Sequence, residues 1–167
     1  MAELTGEVLG PSELTGPERD RMFAIMEQVY DNTDRAVFED DLAGKDEVIV
    51  LREPGGEVGG FSTQLFVDLD LDGRTVRGVF SGDTVIAPEH WGGMSLFQTF
   101  ARRYIVPRDD PWYWFLICKG QRTYRILPTF FTDYWPDRHR PTPPEAARIM
   151  AGYATTLFPD DYDPATG

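Results

Sequence analysis

Cysteine and histidine are scarce in this chain: its 167 residues include one cysteine, Cys118, and two histidines, His90 and His139. A single cysteine excludes an internal disulfide framework, and residues so dispersed do not form the spaced cluster that a zinc site requires. Long apolar runs are also lacking, because no stretch approaches the roughly 20 residues that cross a bilayer. Residues 1–11 have neither the basic start nor the apolar stretch of a signal peptide. These absences predict a soluble, cytoplasmic protein without a metal ion.

Basic residues are outnumbered, with 16 Lys and Arg against 28 Asp and Glu, so the formal net charge is -12. Binding to nucleic acid or to an anionic membrane surface depends on clustered basic residues, and we therefore expect neither partner. Apolar residues make up 41% of the chain, which is enough for the core of one domain of this length. We expect a loose lead-in over residues 1–14, a single domain over 15–158 and an acidic tail over 159–167.

Two helices are predicted at the start of the domain. Thr15 and Glu18 have the spacing of a capping box, with Pro17 at the first turn. Apolar residues then recur at helical spacing up to Tyr30, which predicts a first helix that ends there. Asp34 is a suitable N-cap for a short second helix. That helix is expected to turn three apolar residues inward, namely Val37, Phe38 and Leu42.

Three strands joined by tight turns are predicted next: Val48–Leu51, Val58–Val67 and Thr75–Ile86. Short connections of this kind produce an antiparallel meander. The adjacent glycines Gly59 and Gly60 interrupt the second strand, which indicates a β-bulge or a close approach of two backbones.

The second half of the chain predicts a parallel crossover. A glycine-containing turn precedes a helix whose apolar face would contain Leu96, Phe97, Phe100, Ala101 and Tyr104. The run 112–118 is continuously apolar, as expected of a strand that is covered on both faces. Strand, helix and buried strand form a βαβ unit with a right-handed, parallel connection. The predicted fold class is therefore α/β (α+β), with a mixed sheet between helices.

Two further helices are expected towards the C-terminus. One would run from Tyr124 to Tyr134, with Pro128 in its first turn or at a kink. Thr142 and Glu145 repeat the capping-box spacing and predict the start of the last helix. Its apolar face would contain Ala146, Ile149, Met150, Tyr153 and Leu157.

The order of these elements resembles that of the GNAT N-acyltransferases, and three stretches of sequence carry the resemblance. Residues 48–66 (VIVLREPGGEVGGFSTQLF) resemble the second and third strands of that family. Residues 78–100 (GVFSGDTVIAPEHWGGMSLFQTF) resemble its fourth strand, its acyl-CoA pyrophosphate loop and the helix that follows. Residues 112–136 (WYWFLICKGQRTYRILPTFFTDYWP) resemble its fifth strand and fourth helix, and are similar to a bacterial subgroup of the fold. The resemblance spans residues 18–136 and implies a GNAT-like fold.

The resemblance implies transfer of an acyl group from acetyl-CoA or another acyl thioester, such as an acyl carrier protein, to an amine or hydroxyl of a small-molecule acceptor. In the family, a loop of pattern Arg/Gln-x-x-Gly-x-Gly/Ala binds the pyrophosphate through backbone amides at a helix N-terminus. His90, Gly93 and Ser95 occupy those positions here, and two of the three residue types depart from the pattern. Alternatively, Gly92 and Gly93 only turn the chain from strand to helix. The implied cofactor-binding residues are Val85, Trp91, Gly92, Gly93, Met94 and Ser95.

Asp83 is the candidate general base. Gly82 and Asp83 break an otherwise apolar strand, and such local inconsistencies often mark functional sites. In the resembled family this strand borders the acceptor amine and can carry the base. Alternatively, Asp83 caps the neighbouring turn or pairs with an arginine. Tyr124 and Tyr134 are the candidates for a tyrosine that protonates the leaving thiolate, with packing as aromatic residues as the alternative.

Four further residues are candidates for substrate contact: Ser81, His90, Trp114 and Cys118. Ser81 would hydrogen-bond a substrate. His90 would bind an anion when protonated or act as a base, and a loop histidine with neither role is the alternative. Cys118 would accept an acyl group if Lys119 lowered the pKa of its thiol; otherwise it is a packed thiol.

Lys119, Arg122 and Arg125 form the densest basic cluster of this acidic chain. They would receive a phosphate or carboxylate from a pantetheine-bearing donor, or would only balance nearby aspartates. After Pro136 the chain has a proline-rich loop and a helix where the resembled family usually closes with a strand pair. The acceptor side is therefore rebuilt, or the partner subunit of a homodimer completes it.

Two other functions are compatible with the sequence. A non-catalytic ligand- or partner-binding protein that has lost the cofactor loop would use an apolar pocket lined by aromatic residues. Those residues would be Trp112, Trp114, Phe130, Phe131 and Trp135. A different enzyme on the same scaffold, such as an acyl-thioester lyase or an acyl-homoserine-lactone synthase, is indicated by short matches at 35–38 and 56–60. Acyl transfer is the function that we expect.

Overall fold

Strands and helices follow one another along the chain largely as the apolar periodicity predicts. The computed structural model describes residues 3–105, 112–118 and 121–165. The strands are β1 (Thr5–Leu9), β2 (Glu47–Arg52), β3 (Val58–Leu71), β4 (Arg74–Ile86) and β5 (Tyr113–Leu116). The helices of the described residues are α1 (Gly16–Val29), α2 (Arg35–Ala43), α3 (Ser95–Tyr104), α4 (Gln121–Tyr124), α5 (Ile126–Phe130) and α6 (Pro144–Leu157).

All five strands belong to one mixed sheet in the order β1-β2-β3-β4-β5. The first four are successive antiparallel neighbours, and β5 lies parallel to β4. The meander and the parallel crossover through α3 that the sequence predicts are both confirmed, and so is the mixed α/β class.

Helices cover both faces of the sheet. α1 and α2 pack on one face around a core that includes Met22 and Phe61. α6 packs on the outer part of that face, where Tyr153 contacts side chains that include Val67; Phe61 and Val67 share a face because strand side chains alternate. α3 packs on the opposite face through Phe100. None of the helices in the described ranges is long and apolar enough to span a membrane.

The N-terminus of α1 is held by the predicted capping pair. The Glu18 carboxylate accepts hydrogen bonds from the backbone N–H and from the hydroxyl of Thr15, both at 2.7 Å. It also accepts one from Nη2 of Arg52 on β2 at 2.6 Å. The backbone bond is the main reason that the pKa of Glu18 is lowered to about 2, and the Thr15 hydroxyl and Arg52 add to the effect. The cap therefore also ties α1 to the sheet.

We expect Glu18→Gln to lower the free energy of unfolding by about 1 kcal/mol at neutral pH, because glutamine can keep the backbone bond but loses the charge that strengthens the bonds from Thr15 and Arg52. A carboxyl whose pKa is lower in the folded state stabilises the protein above its unfolded pKa, and this contribution is lost as the pH falls through the folded pKa. The difference between the two proteins should thus shrink between pH 4.5 and about 2. Urea unfolding over that pH range measures it, and a difference that is independent of pH would contradict the assignment.

The lead-in predicted over residues 1–14 to be loose contains β1, and that prediction is wrong. β1 pairs antiparallel with β2 from Thr5 opposite Arg52 to Leu9 opposite Val48. The segment is short and half-polar, so its own pattern is weak. Its pairing depends on a long-range partner, which explains why local periodicity did not reveal it.

Two predicted burial patterns are also wrong. Val37 is 67% exposed, because the buried face of α2 is formed by Phe38 and Leu42. The apolar run 112–118 gives only the four-residue β5, and Tyr113 at its start is 39% exposed. β5 is one of the two edge strands that the described residues form, so it is not covered as an inner strand would be.

The helix predicted from Tyr124 to Tyr134 is two short helices, α4 and α5. Pro128 lies within the first turn of α5, where its missing N–H is tolerated. α5 ends at Phe130, so Tyr134 lies in the loop that follows.

The start of α6 also differs from the prediction. Pro143 is its N-cap and no side chain caps the helix, so Thr142 and Glu145 do not form a capping box. Glu145 instead forms an ion pair with Arg74 of β4. The pairing ties the start of α6 to the sheet.

Gly59 forms the β-bulge that the sequence predicts. The register between β2 and β3 shifts at this point, since Leu51 pairs with Gly60 and Arg52 with Val58. A Cβ on Gly60 would lie 3.0 Å from the Val85 carbonyl oxygen. The close approach of β3 and β4 therefore favours glycine here.

Candidate functional site

β4 and β5 separate near the middle of β4. They pair only from Gly78 opposite Tyr113 to Ser81 opposite Leu116, whereas β4 continues to Ile86. Within the described ranges, no strand pairs with this edge of β4 beyond Ser81. Backbone groups of alternate residues on that edge therefore face a gap between the two strands, which we call the strand opening.

A cavity of about 770 Å³ occupies the strand opening. On one face of the sheet it is lined by residues of α1 and α2, including Met26 and Phe38, and on the other by Leu96 and Phe97 of α3. Because these helices lie on opposite faces, the cavity passes through the sheet, and we call it the through-sheet cavity. Its volume is in the range of small-molecule sites.

Asp83 lies in a second β-bulge, on the wall of this cavity. Gly82 and Asp83 of β4 together stand opposite a single residue of β3, Thr63. An extra residue of this kind bends a strand and redirects its side chains. Asp83 is half-buried and lines the through-sheet cavity. The break in the strand pattern that singled out Asp83 therefore corresponds to a real change in backbone geometry.

Tyr30, which follows α1 as its C-cap, lines the same cavity. Burial raises the pKa of its hydroxyl, and the negative charge of Asp83 raises it further. The hydroxyl therefore stays protonated at neutral pH and can donate a hydrogen bond beside the carboxylate. Sequence reasoning used Tyr30 only as the last apolar residue of the first helix, because no local pattern relates it to Asp83 on β4.

A chain of hydrogen-bonded side chains crosses three strands at the cavity. Trp114 Nε1 donates to Ser81 Oγ at 2.9 Å, and Ser81 Oγ donates to Gln64 Oε1 at 2.9 Å. Gln64 Nε2 donates to Ser62 Oγ at 2.8 Å, which lies 2.8 Å from Thr84 Oγ1. We call these five residues the polar chain. All except the fully buried Gln64 line the through-sheet cavity.

The turn between β4 and α3 presents backbone amides. Gly92 has a φ of 90°, which glycine adopts without strain. Trp91 is 52% exposed, and its indole N–H donates to the Ile86 carbonyl at 2.8 Å. No side chain caps α3, so the N–H groups of Ser95 and Leu96 have no acceptor within the helix. These amides are available to an anion.

The turn leaves room for the pyrophosphate that the resemblance implies. A Cβ on Gly92 would meet no atom within 4 Å, and one on Gly93 would meet only the His90 carbonyl oxygen, at 3.5 Å. The Met94 side chain in the same turn is 42% exposed. Leu96 continues from the turn into the through-sheet cavity. The residues therefore fit an anion at the start of α3 with an attached arm in the strand opening.

Two residues expected to contact donor or substrate lie outside the through-sheet cavity, although His90 lines a smaller cavity of about 220 Å³ together with Gly93 and Ser95. His90 Nε2 is 3.1 Å from Glu53 Oε1, and its ring packs where a Cβ on Gly59 would be, outside the through-sheet cavity. Val85 is 1% exposed, with its side chain in the core beneath α1. His90, at the position of the basic residue in the loop pattern, thus contacts the turn between β2 and β3 through Glu53.

Tyr124 and Tyr134 do not share a cavity with Asp83. They line a second cavity of about 630 Å³ beside β5, with ring centroids 6.3 Å apart. The Tyr124 hydroxyl donates to the Pro136 carbonyl at 3.0 Å. Burial and then the nearby Asp137 raise the pKa of Tyr134.

Cys118 lines the second cavity too. Burial raises the pKa of its thiol, which opposes the thiolate that acyl acceptance requires. Lys119, expected to lower that pKa, and the Arg122 side chain lie outside the described residues, while Arg125 is exposed. The second cavity also contains most of the predicted aromatic pocket, namely Trp112, Trp114, Phe131 and Trp135.

The wall of the through-sheet cavity nearest α1 and α2 is acidic. Asp31, Asp34 and Asp41 line it together with Asp83, and Lys45 is the basic residue among its described lining. Lys45 Nζ is paired with Asp41 Oδ1 at 2.6 Å, so a negative excess remains. Such a wall favours a neutral or cationic ligand over an anionic one. In the part of the chain that the structure describes, no three His, Cys, Asp or Glu side chains converge as metal ligands.

No protein-family model and no curated protein matches this chain in sequence, but solved structures match it in fold. A ribosomal-protein-alanine N-acetyltransferase from Brucella melitensis biovar Abortus 2308 is 14% identical with a TM-score of 0.55, covering 83% of this chain and 98% of that one. An acetyltransferase from Trypanosoma brucei is 13% identical with a TM-score of 0.55, covering 84% and 100%. An aminoglycoside acetyltransferase from an uncultured soil metagenomic sample, in complex with sisomicin, is 14% identical with a TM-score of 0.55, covering 84% and 95%.

At these identities the likeness establishes the fold. The chain has the GNAT fold that the sequence resemblance implies, with a five-stranded mixed sheet between helices. The matches span most of this chain, so the strand opening lies in a scaffold shared with acetyltransferases.

Proposed function

We propose that this protein moves an acyl group from a CoA thioester to an amine or hydroxyl of a small-molecule acceptor. The observation that carries the proposal is the through-sheet cavity, which joins the two faces of the sheet at the strand opening. Direct transfer between two substrates requires that their reacting atoms meet in one place. A cavity open to both faces, with a carboxylate on its wall, provides such a place. The acetyltransferases that share the fold support this reaction class.

The donor would bind on the α3 side. The amides of Ser95 and Leu96 at the start of α3 would hold the pyrophosphate. Backbone groups on the open edge of β4 beyond Ser81 would align the extended arm by strand-like hydrogen bonds. The acceptor nitrogen or oxygen would attack the thioester carbonyl, the C–S bond would break, and CoA would leave as a thiolate that takes up a proton to give the free thiol.

The acceptor would bind on the side of α1 and α2. Asp83 is placed to accept the proton that the acceptor nitrogen or oxygen loses, because its carboxylate lines the cavity at the strand opening. The protonated hydroxyl of Tyr30 would donate a hydrogen bond there and orient the acceptor. This role differs from the one expected of Tyr124 or Tyr134, protonation of the leaving thiolate, and those two residues line the second cavity. The acidic wall favours an amine as the acceptor group.

Ser95→Asp should abolish stabilisation by CoA without weakening the free protein. CoA at about one hundred times its Kd should stabilise the unaltered protein by ~2.7 kcal/mol, or roughly 5–10 °C in Tm for a chain of this size. A carboxylate in the first turn of α3 interacts favourably with the helix dipole but repels a pyrophosphate. Thermal unfolding with CoA and acetyl-CoA, followed by titration calorimetry, measures both effects.

Ser95→Asn is the matched control, since it has the same shape without the charge and should keep most of the shift. An equal shift in both variants would exclude the start of α3 as the pyrophosphate site. If the unaltered protein shows no shift at millimolar CoA or acetyl-CoA, the CoA donor is excluded and a carrier-bound thioester becomes the donor to test.

A further inference from the structure

We propose that Gln64 is a positioning residue that fixes the width of the strand opening and the location of Asp83 at its edge. Gln64 is fully buried on β3 at the centre of the polar chain. The inference rests on the proposed function, because that function specifies the ligand that enters the strand opening. The width of the opening and the location of Asp83 can be tested separately from that function.

Both ends of the Gln64 amide are engaged. Oε1 accepts from Ser81 at 2.9 Å and Nε2 donates to Ser62 at 2.8 Å. An apolar side chain of similar volume could fill this site without burying a polar group. The amide is therefore better explained by the orientation that it imposes than by stability alone, as for other fully satisfied buried networks.

The two bonds hold β4 on either side of its bulge. Ser81 precedes the inserted pair Gly82 and Asp83, and Thr84 follows it. Gln64 holds Ser81 directly, and it holds Thr84 through Ser62. The segment that carries Asp83 is thus fixed at both ends by side chains of β3.

The polar chain also ties β5 at the point where it leaves β4. Ser81 is the last residue of β4 that pairs with β5, and its hydroxyl accepts a hydrogen bond from the Trp114 indole. β5 is a short edge strand, and this side-chain bond adds to the four residue pairs that attach it to β4. The divergence of the two strands begins at a fixed point for this reason.

The Trp114 indole sets the direction of the hydrogen bonds at Ser81. The indole can only donate, so Ser81 accepts from it and donates its own proton to Gln64 Oε1. Gln64 Nε2 in turn donates to Ser62 Oγ. The polar chain is thus continuous from β5 through β4 to β3.

Gln64→Met tests the inference, because methionine is similar in length and volume and makes neither bond. Backbone amides of residues 82–85 should exchange with solvent about tenfold faster, the effect of one lost buried hydrogen bond. Amides of residues 67–71 and 74–78, in the outer part of the same strand pair, should keep their rates. Hydrogen exchange followed by NMR measures all of these together.

Gln98→Met is the control, since Gln98 is exposed on α3. A uniform rise across both parts of the strand pair would show that Gln64 contributes only global stability and would overturn the inference, as would unchanged rates at 82–85. If Gln64→Met does not fold, Ser81→Ala decides the question, because it removes the link to Trp114 and to Gln64 with less loss of volume. Ser81→Ala should produce the same local increase in amide exchange rates at residues 82–85.

Ligand binding provides a second readout. In Gln64→Met the affinity for acetyl-CoA should fall about tenfold, while that for adenosine 3′-phosphate 5′-diphosphate, which keeps the pyrophosphate and lacks only the arm, should be unchanged. Equal losses for the two ligands would contradict a role at the opening. If the unaltered protein binds neither ligand, the proposed function fails, and the exchange rates at 82–85 still decide the role of Gln64.

Discussion

Asp83→Asn is expected to reduce acyl transfer by about 10²- to 10⁴-fold, the usual contribution of a positioned general base. The amide keeps the shape of the side chain but cannot take the proton that the acceptor loses. The affinity for CoA should be unchanged, because the donor is expected on the α3 side of the sheet. Release of free thiol from acetyl-CoA, measured with a panel of small amines, reports the rate.

Asp68→Asn is the control for this substitution. Asp68 is an exposed residue of β3 whose partner, Arg77, lies 3.7 Å away, and an exposed pair of this kind contributes little to stability. Turnover within about threefold of the control would exclude Asp83 as the base, since a general base contributes far more than that.

Asp83→Asn is also expected to change the pKa of Tyr30, which can be measured without an acceptor substrate. The Asp83 carboxylate raises the pKa of Tyr30 in addition to the effect of burial. Asp83→Asn should therefore lower the pKa of Tyr30, while burial keeps it above the ordinary value. Titration of ¹³C-labelled tyrosine by NMR measures it. An unchanged Tyr30 titration would show that the two side chains do not interact.

Gly78→Ala adds only one methyl group, yet we expect it to lower the free energy of unfolding strongly. A Cβ on Gly78 of β4 would lie 2.5 Å from Cζ of Tyr153 on α6. Tyr153 is 1% exposed, its hydroxyl donates to the Val76 carbonyl at 3.2 Å, and its ring packs beside Phe115. The ring has little room to move, so we expect a loss of about 1–3 kcal/mol, typical of overpacking. Urea and thermal unfolding measure it.

Gly55→Ala is the matched control, because a Cβ there would meet no atom within 4 Å. It should be neutral or slightly stabilising, since alanine restricts the unfolded chain. Combining Gly78→Ala with Tyr153→Leu should cost less than the sum of the single changes, because the smaller side chain makes room for the methyl group. Equal unfolding free energies for Gly78→Ala and Gly55→Ala would contradict the close packing of α6 on β4.

The elements that could be predicted from the sequence are those with local signals. α1 has its capping pair and α3 has a clear apolar face, and both form close to the predicted bounds. The bulge at Gly59 followed from the two adjacent glycines. β1 and the break before Tyr134 were missed, because the first depends on pairing with β2 and the second on where α5 stops packing.

The site was only partly predictable for the same reason. Asp83 was found because it breaks a strand pattern, which is visible in one sequence. Tyr30 and Gln64 were not found, since each is defined by a contact with a distant part of the chain. His90 fits the loop pattern by position and lies beside Gly93 and Ser95, yet it contacts Glu53 across a turn and does not line the through-sheet cavity. A sequence pattern identifies residues that could act in a site, whereas the packing of distant segments determines which of those side chains contact one another.

The connection between α1 and α2 has a consequence for how this protein can evolve. Residues 31–33 form part of the cavity wall but belong to no helix or strand, and loops of this kind tolerate substitution and insertion. Under the proposed function, recognition of the acceptor would be encoded partly in a segment that can change while the strands, the polar chain and the start of α3 stay the same. Selection could then alter the acceptor without changing the strand opening.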